Sequence, residues 1–449
     1  MQIIVLVALL ASIYQIKRYS VIDAVINVWL LCFLMLPEFY SLDIPHLPPL
    51  TFAGAALLPI LFYIVIFELR KLKLTPADVL LAIFFLGEFY SEASHTTLQN
   101  AGLVLVASIR AGAGPYLIGR LIAEQPGVRE RLTKRFVLLV LIVSVISVWE
   151  FRMGNNLFVS TLNHLFPNEA IFGNQLRGGH VRVAGPYMKA ELAGMIFGPA
   201  LLFAFWLRYV KKLEGDEKKY LRVRKSTIVM LAIAAALYMT ISRGPLLGGI
   251  LGWLIARIGT AKNMKLTAIL TAILCIAGGT AGYVKAKAYT AGDLSSAKDQ
   301  DQENAIYRRM LLDAYKPIVE KGGLFGYGIV NFPKAEGQAS IDNHFLYLQV
   351  TQGKLGLWTF ILLNADVMLM TLLSIRKFKQ RIDICFALCI AGGIASILLT
   401  ITTVYLGGPS YTMLFLLLGW GQSLRPTEVA GAVQAPEPTA RFRFRRVIV

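Results

Sequence analysis

Three groups of residues in this chain have types and spacings that could do chemistry. The first is Arg177-Gly178-Gly179-His180-Val181-Arg182-Val183-Ala184-Gly185-Pro186, directly ahead of an apolar run that begins near Met188. Glycine lets backbone approach a ligand closely and a helix start favours anions, so Arg182 and Arg177 are candidate phosphate contacts. The same pattern also describes a mobile glycine-rich loop with solvated arginines. The second group is Ser242-Arg243-Gly244-Pro245, between two apolar runs so close together that Arg243 must sit at or just below a membrane surface. A cation there is costly unless it faces a cavity or a paired anion, the alternative being that it reaches up to lipid phosphate. The third is a polar segment from about Lys285 to Asn343, which ends in Asp342-Asn343-His344-Phe345-Leu346.

Within that segment Tyr307, Leu311, Ala314, Tyr315 and Ile318 recur at helical spacing, which predicts an amphipathic helix able to lie on a membrane surface. At roughly 100° per residue, Arg308 falls about 60° from an apolar face centred on Leu311 and Arg309 falls on the far side. Arg308 is therefore the candidate that reaches toward a membrane-bound substrate, with Arg309 and Asn343 as further candidate contacts. A tight glycine turn, Gly322-Gly323-Leu324-Phe325-Gly326-Tyr327-Gly328, follows the helix, and Gly353-Lys354-Leu355-Gly356 opens the next apolar run. Histidine as a residue type suits a general base near neutrality, so His344 is a candidate base, and equally has the character of a hydrogen-bonded interfacial histidine.

The elements that must hold these residues are membrane helices. Of 449 residues 56% are hydrophobic and 16% charged, mean hydropathy is +0.60, and the apolar residues fall in blocks long enough to span a bilayer. Runs near 21–37, 51–68, 76–90, 99–122, 136–150, 188–207, 227–241, 245–258, 267–284, 355–374, 384–402 and 411–424 join a first run at 3–16, read as a retained helix. The expectation is an all-α integral membrane protein over 1–424, with about 12–13 transmembrane helices and one large extracytoplasmic loop at 285–343.

Basic residues set the orientation, because Lys and Arg are retained on the cytoplasmic side. Seven segments on alternate loops, from Lys17-Arg18 to Arg425–Arg446, hold 29 of the 45 basic residues, so the net charge of +18 reads as topology and not as nucleic-acid binding. All five histidines then fall on the opposite face. The four cysteines lie inside apolar runs without partners at ligand spacing, which predicts neither disulfides nor a metal site. Asp299-Gln300-Asp301 has the form of a metal and nucleotide-sugar motif but sits in a polar linker without flanking strands, and is read as solvated loop. The tail at 425–449 is basic and rich in Ala and Pro, predicted to be disordered and able to touch anionic lipid.

The order of these features resembles the O-antigen ligase and polymerase superfamily of bacterial membrane glycosyltransferases. Arg182-Val183-Ala184-Gly185-Pro186 is followed by Ser242-Arg243-Gly244, by Arg308 ahead of Leu324-Phe325-Gly326-Tyr327-Gly328, by Asn331-Phe332, and then by Asn343-His344 and Gly353-x-x-Gly356, over roughly 140–420. The resemblance implies about twelve transmembrane helices with a large periplasmic loop in the bacterial inner membrane. It implies glycan transfer from undecaprenyl pyrophosphate on the periplasmic face, with no metal, nucleotide sugar or other cofactor. Arg182, Arg243 and Arg308 would hold the lipid pyrophosphate, and His344 would take the proton of the acceptor hydroxyl. The Asp342-Asn343-x-x-Leu346 form is closer to polysaccharide polymerases than to ligases that join O-antigen to lipid A core, which carry a His-Asn pair. The expected role is thus O-antigen or exopolysaccharide polymerisation, with ligation to lipid A core as the alternative and a chain-length regulator as a possible partner. A lipid-linked glycan flippase would instead place charge deep in many helices, where only Arg110 and Arg120 stand. A solute transporter would show internal repeats, which are not found.

Overall fold

The computed structural model describes residues 2–166, 173, 175–215, 219–220, 223–338 and 340–426, so the predicted basic tail lies outside the described residues from 427 onward. Each of the thirteen apolar runs falls on helix. The helices are α1 (Leu6–Arg18), α2 (Val21–Met35), α3 (Phe52–Lys71), α4 (Pro76–His95), α5 (Leu98–Leu121), α6 (Val128–Met153), α7 (Leu157–Asn163), α8 (Ala190–Glu214), α9 (Lys225–Met239), α10 (Arg243–Thr260), α11 (Met264–Tyr289), α12 (Gln300–Gly322), α13 (His344–Lys377), α14 (Arg381–Ile401) and α15 (Gly408–Ser423). Among the described residues seven of them, α3, α5, α6, α8, α11, α13 and α14, are long and apolar enough to cross a membrane. The architecture is an all-α, multi-pass membrane fold. Among the described residues sheet is confined to two-stranded antiparallel ribbons, Ser41–Leu42 with Leu50–Thr51, Leu176–Arg177 with His180–Val181, and Lys219–Tyr220 with Val223–Arg224.

Local sequence explains where the helices start. Thr51, Thr97, Asn156, Asp299 and Asn343 each accept a backbone N–H of the first turn that follows, filling donors that a helix N-terminus leaves orphaned. Thr75 forms a capping box with Asp78 ahead of Pro76.

Two kinds of packing hold the bundle. At the centre, Phe203 and Trp206 of α8 meet Phe386 of α14 and Trp420 of α15, with ring centroids 4.7 Å apart for Trp206 and Phe386 and 5.2 Å for Phe386 and Trp420. Elsewhere backbones touch directly. A Cβ on Gly252 of α10 would lie 2.7 Å from the Gly392 carbonyl of α14, and one on Gly259 2.7 Å from Cys385 Cα. Small residues permit such contact where lipid gives no hydrophobic drive for helix association. By contrast α11 buries none of its residues.

Polar contacts gather at two poles that match the charge bias. At the basic pole Arg129 pairs with Glu124 and, at 2.6 Å, with Asp383, while Arg131 meets Asp23 at 2.6 Å and Arg120 meets Asp78 at 3.4 Å. At the other pole Arg110 donates to the Pro49 carbonyl and Tyr40 donates to Asn163 Oδ1 at 2.5 Å. The candidate residues lie at this second pole.

The polar segment differs from expectation at both ends. α11 runs on to Tyr289, and the helix expected from 355 already begins at His344, because Asn343 caps it. The amphipathic helix exists as α12, but its apolar face is used inside the protein: Leu311 and Tyr315 bury against Leu346 and Val350 of α13 with Ile341 and Ala335. A stripe expected to meet lipid thus finds a protein partner.

Candidate functional site

The first group is folded by a carboxylate from below. Gly178 and Gly179, at φ 55° and 78°, turn the Leu176–Val181 ribbon, and Arg182 follows it directly. Glu150, near the end of α6, accepts the N–H groups of Ala184 and Gly185 at 3.0 and 2.9 Å, and Asn156 donates to both Glu150 and the Gly185 carbonyl. The Arg182 side chain is 11% exposed and donates to the Thr240 carbonyl at 3.1 Å, to Glu191 at 2.5 Å and to Ser242 Oγ at 2.7 Å. Beside it, a small cleft is lined by Glu150, Asn156, Gln175, Gly185 and Met188.

Arg177 and Arg243 converge on Asp301. Arg177 donates to Asp301 Oδ1 through Nη2 at 2.5 Å and Nε at 3.2 Å, and Arg243 donates to Oδ2 at 2.5 Å. Arg177 also donates to the Ile241 carbonyl at 3.3 Å, so Arg177 and Arg182 straddle the 240–242 turn from which Arg243 opens α10. The Arg177 guanidinium, with Arg243 adding to it, holds the Asp301 carboxyl below the ordinary carboxylate range. Here Arg177 and Arg243 pair with Asp301 and Arg182 pairs with Glu191, and Arg243 is 63% exposed to meet an anion. Asp299-Gln300-Asp301 is therefore not solvated loop: Asp299 caps α12 and Asp301 bridges two arginines.

The glycine turn and Gly353 form one object. α13 is broken at Gly353, whose φ of 65° and ψ of −158° suit glycine alone. The turn at 322–328 docks in the break. Tyr327 and Gly328 donate N–H to the Val350 and Thr351 carbonyls at 3.0 and 2.9 Å, and Lys354 and Leu355 donate to the Gly323 and Leu324 carbonyls at 3.2 and 2.9 Å. Backbone groups freed by the break are thereby paired, as a discontinuous membrane helix requires. α4 locks the arrangement: Ser91 donates to the Thr351 carbonyl at 2.7 Å and accepts from Gly328, while Glu92 accepts from Ile329 and Val330.

His344 is the first residue of α13 and is 2% exposed. Its ring lies 6.0 Å from Tyr347, 5.4 Å from Phe360 and 5.7 Å from Tyr405 between centroids, and neither ring nitrogen has a hydrogen-bond partner among the described residues. Asn343 is occupied as the cap, accepting from Phe345 at 3.0 Å and Leu346 at 3.2 Å, which makes it a positioning residue for His344. The turn at 400–405 borders both halves of the site. A Cβ on Gly244, next to Arg243, would be 3.5 Å from Thr400 and Thr403, and Tyr405 touches His344.

The structure thus gathers Arg177, Arg182 and Arg243 and sets His344 at the same pole. It does not bring Arg308 or Arg309 to them. Arg308 is exposed and has no hydrogen bond or ion pair among the described residues, and Arg309 donates to the Gly292 carbonyl at 2.7 Å. Sequence reasoning took Asp301 for solvated loop and missed Glu191, Glu150 and Glu92, whose partners Arg182, Ala184 and Ile329 lie 9, 34 and 237 residues away. Among the described residues no three His, Cys, Asp or Glu side chains converge to hold a metal. No protein-family model matches the chain, and no curated protein matches it.

Proposed function

We propose that this protein is a bacterial inner-membrane glycosyltransferase of the O-antigen ligase and polymerase type, moving glycan from undecaprenyl pyrophosphate at the periplasmic face. The observation that carries the reading is the convergence of Arg177, Arg182 and Arg243 at one pole of a multi-pass membrane bundle, with Arg243 open to solution. In this reaction an acceptor hydroxyl attacks the anomeric carbon, the bond from that carbon to the phosphate oxygen breaks, and the electron pair leaves on the lipid pyrophosphate. Guanidinium forks fixed where that charge grows stabilise the leaving group. His344, with both ring nitrogens unpartnered, takes the proton of the hydroxyl once the acceptor enters its aromatic surround.

Polymerisation of an O-antigen or exopolysaccharide is favoured over ligation to lipid A core by the Asp342-Asn343-x-x-Leu346 form. The flippase reading calls for charge deep inside many helices around a central cavity; Arg110 donates to the Pro49 carbonyl and lines a small cleft with Glu38, and Arg120 is paired with Asp78. The test is purified protein incubated with an undecaprenyl-pyrophosphate oligosaccharide and resolved on a gel. A ladder of longer lipid-linked glycans is expected. Transfer confined to added lipid A core would make it a ligase, and no product with either acceptor would overturn the enzyme reading.

A further inference from the structure

Asp301 occupies the place where an anion would be expected. Its two carboxylate oxygens are divided between two guanidinium groups, Oδ1 to Arg177 and Oδ2 to Arg243, each at 2.5 Å. Those arginines come from segments far apart in sequence, a ribbon and the start of α10, and the carboxylate comes from a third. A single negative charge spanning two fixed positive ones leaves the pair under-neutralised. A pyrophosphate diester carries two charges on linked groups and presents oxygens to both guanidinium forks at once, so it is the better complement to the same pair.

The occupant is also free to leave. Asp301 is 35% exposed, and its short side chain can turn away without moving the helix. In the first turns of α12, Ile306 is the one fully buried side chain among the described residues, and the ties there include surface contacts. Tyr289 donates to Asp299 at 3.2 Å, Gln302 to the Tyr289 carbonyl at 3.0 Å and Arg309 to the Gly292 carbonyl at 2.7 Å. The firm packing of α12 lies further on, at Leu311 and Tyr315.

We propose that Asp301 is an internal competitor for the pyrophosphate group: it fills the Arg177–Arg243 site of the empty protein and is displaced when a pyrophosphate ligand binds, so that it sets the affinity of that site. The identity of the ligand rests on the glycosyltransferase reading, while the competition itself does not.

The experiment measures binding of inorganic pyrophosphate to the full-length protein in detergent, by calorimetry at low salt, for wild type, Asp301→Asn and Asp301→Glu. Removing the competing charge should tighten binding on the order of tenfold in Asp301→Asn, and Asp301→Glu should stay near wild type. Binding that is unchanged or weaker in Asp301→Asn, with an unaltered melting temperature, would mean that Asp301 organises the arginines and does not compete for them. Absence of binding in every variant would overturn the anion site. A glycan-transfer assay separates the two proposals. If wild type transfers glycan, Asp301→Asn should lower KM for the lipid-linked donor. If wild type transfers none but Asp301→Asn still binds pyrophosphate more tightly, the competition stands and the glycosyltransferase reading falls.

Discussion

At the scale of single residues, the site is a problem of where charge can be tolerated. Arg182 is nearly covered and is matched by Glu191, so its guanidinium is already fixed in direction, while Arg243 is largely exposed and is the arginine that an incoming anion meets first. Arg243→Ala should therefore reduce glycan transfer at least ~100-fold, of the order seen when one preorganised donor is lost, with normal insertion and accumulation. Full activity in that variant would remove Arg243 from the mechanism. His344→Ala should lower turnover while leaving pyrophosphate affinity as in wild type, because the ring contacts aromatic side chains and none of the three arginines. An unchanged rate would make the histidine a packing residue. The Asp301 bridge adds a pH signature. Its carboxyl is held below the ordinary carboxylate value of 3.8, so the bridge is intact above that value and is lost as pH falls through the depressed one. Wild type and Asp301→Asn should differ in pyrophosphate affinity at neutral pH and converge only in acid below the usual carboxylate range. Convergence at pH 6 would mean that another group governs the site. The arginines were legible because Gly and Pro around them mark turns between apolar runs. Asp301 was not, because nothing local distinguishes a carboxylate that meets arginines 124 and 58 residues away from one that meets water.

At the scale of elements, the glycine turn and the break in α13 explain each other. The sequence offered Gly326, Gly328 and Gly353 as separate loosely defined features, and a helix opening at 355; what it could not offer was that two backbones cross there. A Cβ on Gly353 would lie 2.5 Å from the Leu324 carbonyl oxygen, and one on Gly326 2.5 Å from the Gly353 nitrogen. Pairing of backbone at distance leaves no periodicity to read, since glycine contributes no side chain to a pattern. Gly353→Ala should cost about 1–3 kcal/mol in backbone strain before any clash is counted, and should lower the melting temperature in detergent. Glu92→Ala should act through the same object from the other side. It removes the acceptor of the Ile329 and Val330 N–H groups, a loss costing about 1–3 kcal/mol where the donor is left buried, and so loosens the turn that seats the first half of α13 and His344 with it. Unaltered melting in both variants would mean that the turn is not what holds the broken helix. The amphipathic helix teaches the complementary lesson. Its stripe was legible at 3.6-residue spacing, but period cannot say whether lipid or protein covers the stripe, and here α13 does.

At the scale of the whole molecule, the apolar runs were readable because, away from the break at Gly353, a membrane helix satisfies its own backbone, so hydropathy marks it. Orientation rests on the basic loops, and α11 offers a clean test of it. Its 26 residues extend about 39 Å at 1.5 Å each, more than the roughly 30 Å of a bilayer's hydrocarbon core, so its two ends belong on opposite sides of the membrane. None of its residues is buried, so a label near either end is not masked by neighbours. Lys262 precedes it and Lys298 follows it, and both are exposed. In a background with Cys275 replaced by Ser, Lys298→Cys in intact inside-in cells should react with a membrane-impermeant maleimide, and Lys262→Cys should react only after the membrane is opened. Reaction of both from one side would mean that α11 does not cross. The reverse pattern would be more consequential, because it would put Arg177, Arg182, Arg243 and His344 in the cytoplasm. The glycan would then have to be transferred before its lipid carrier turned over, and the periplasmic glycosyltransferase reading would fail on topology alone, whatever the arginines bind.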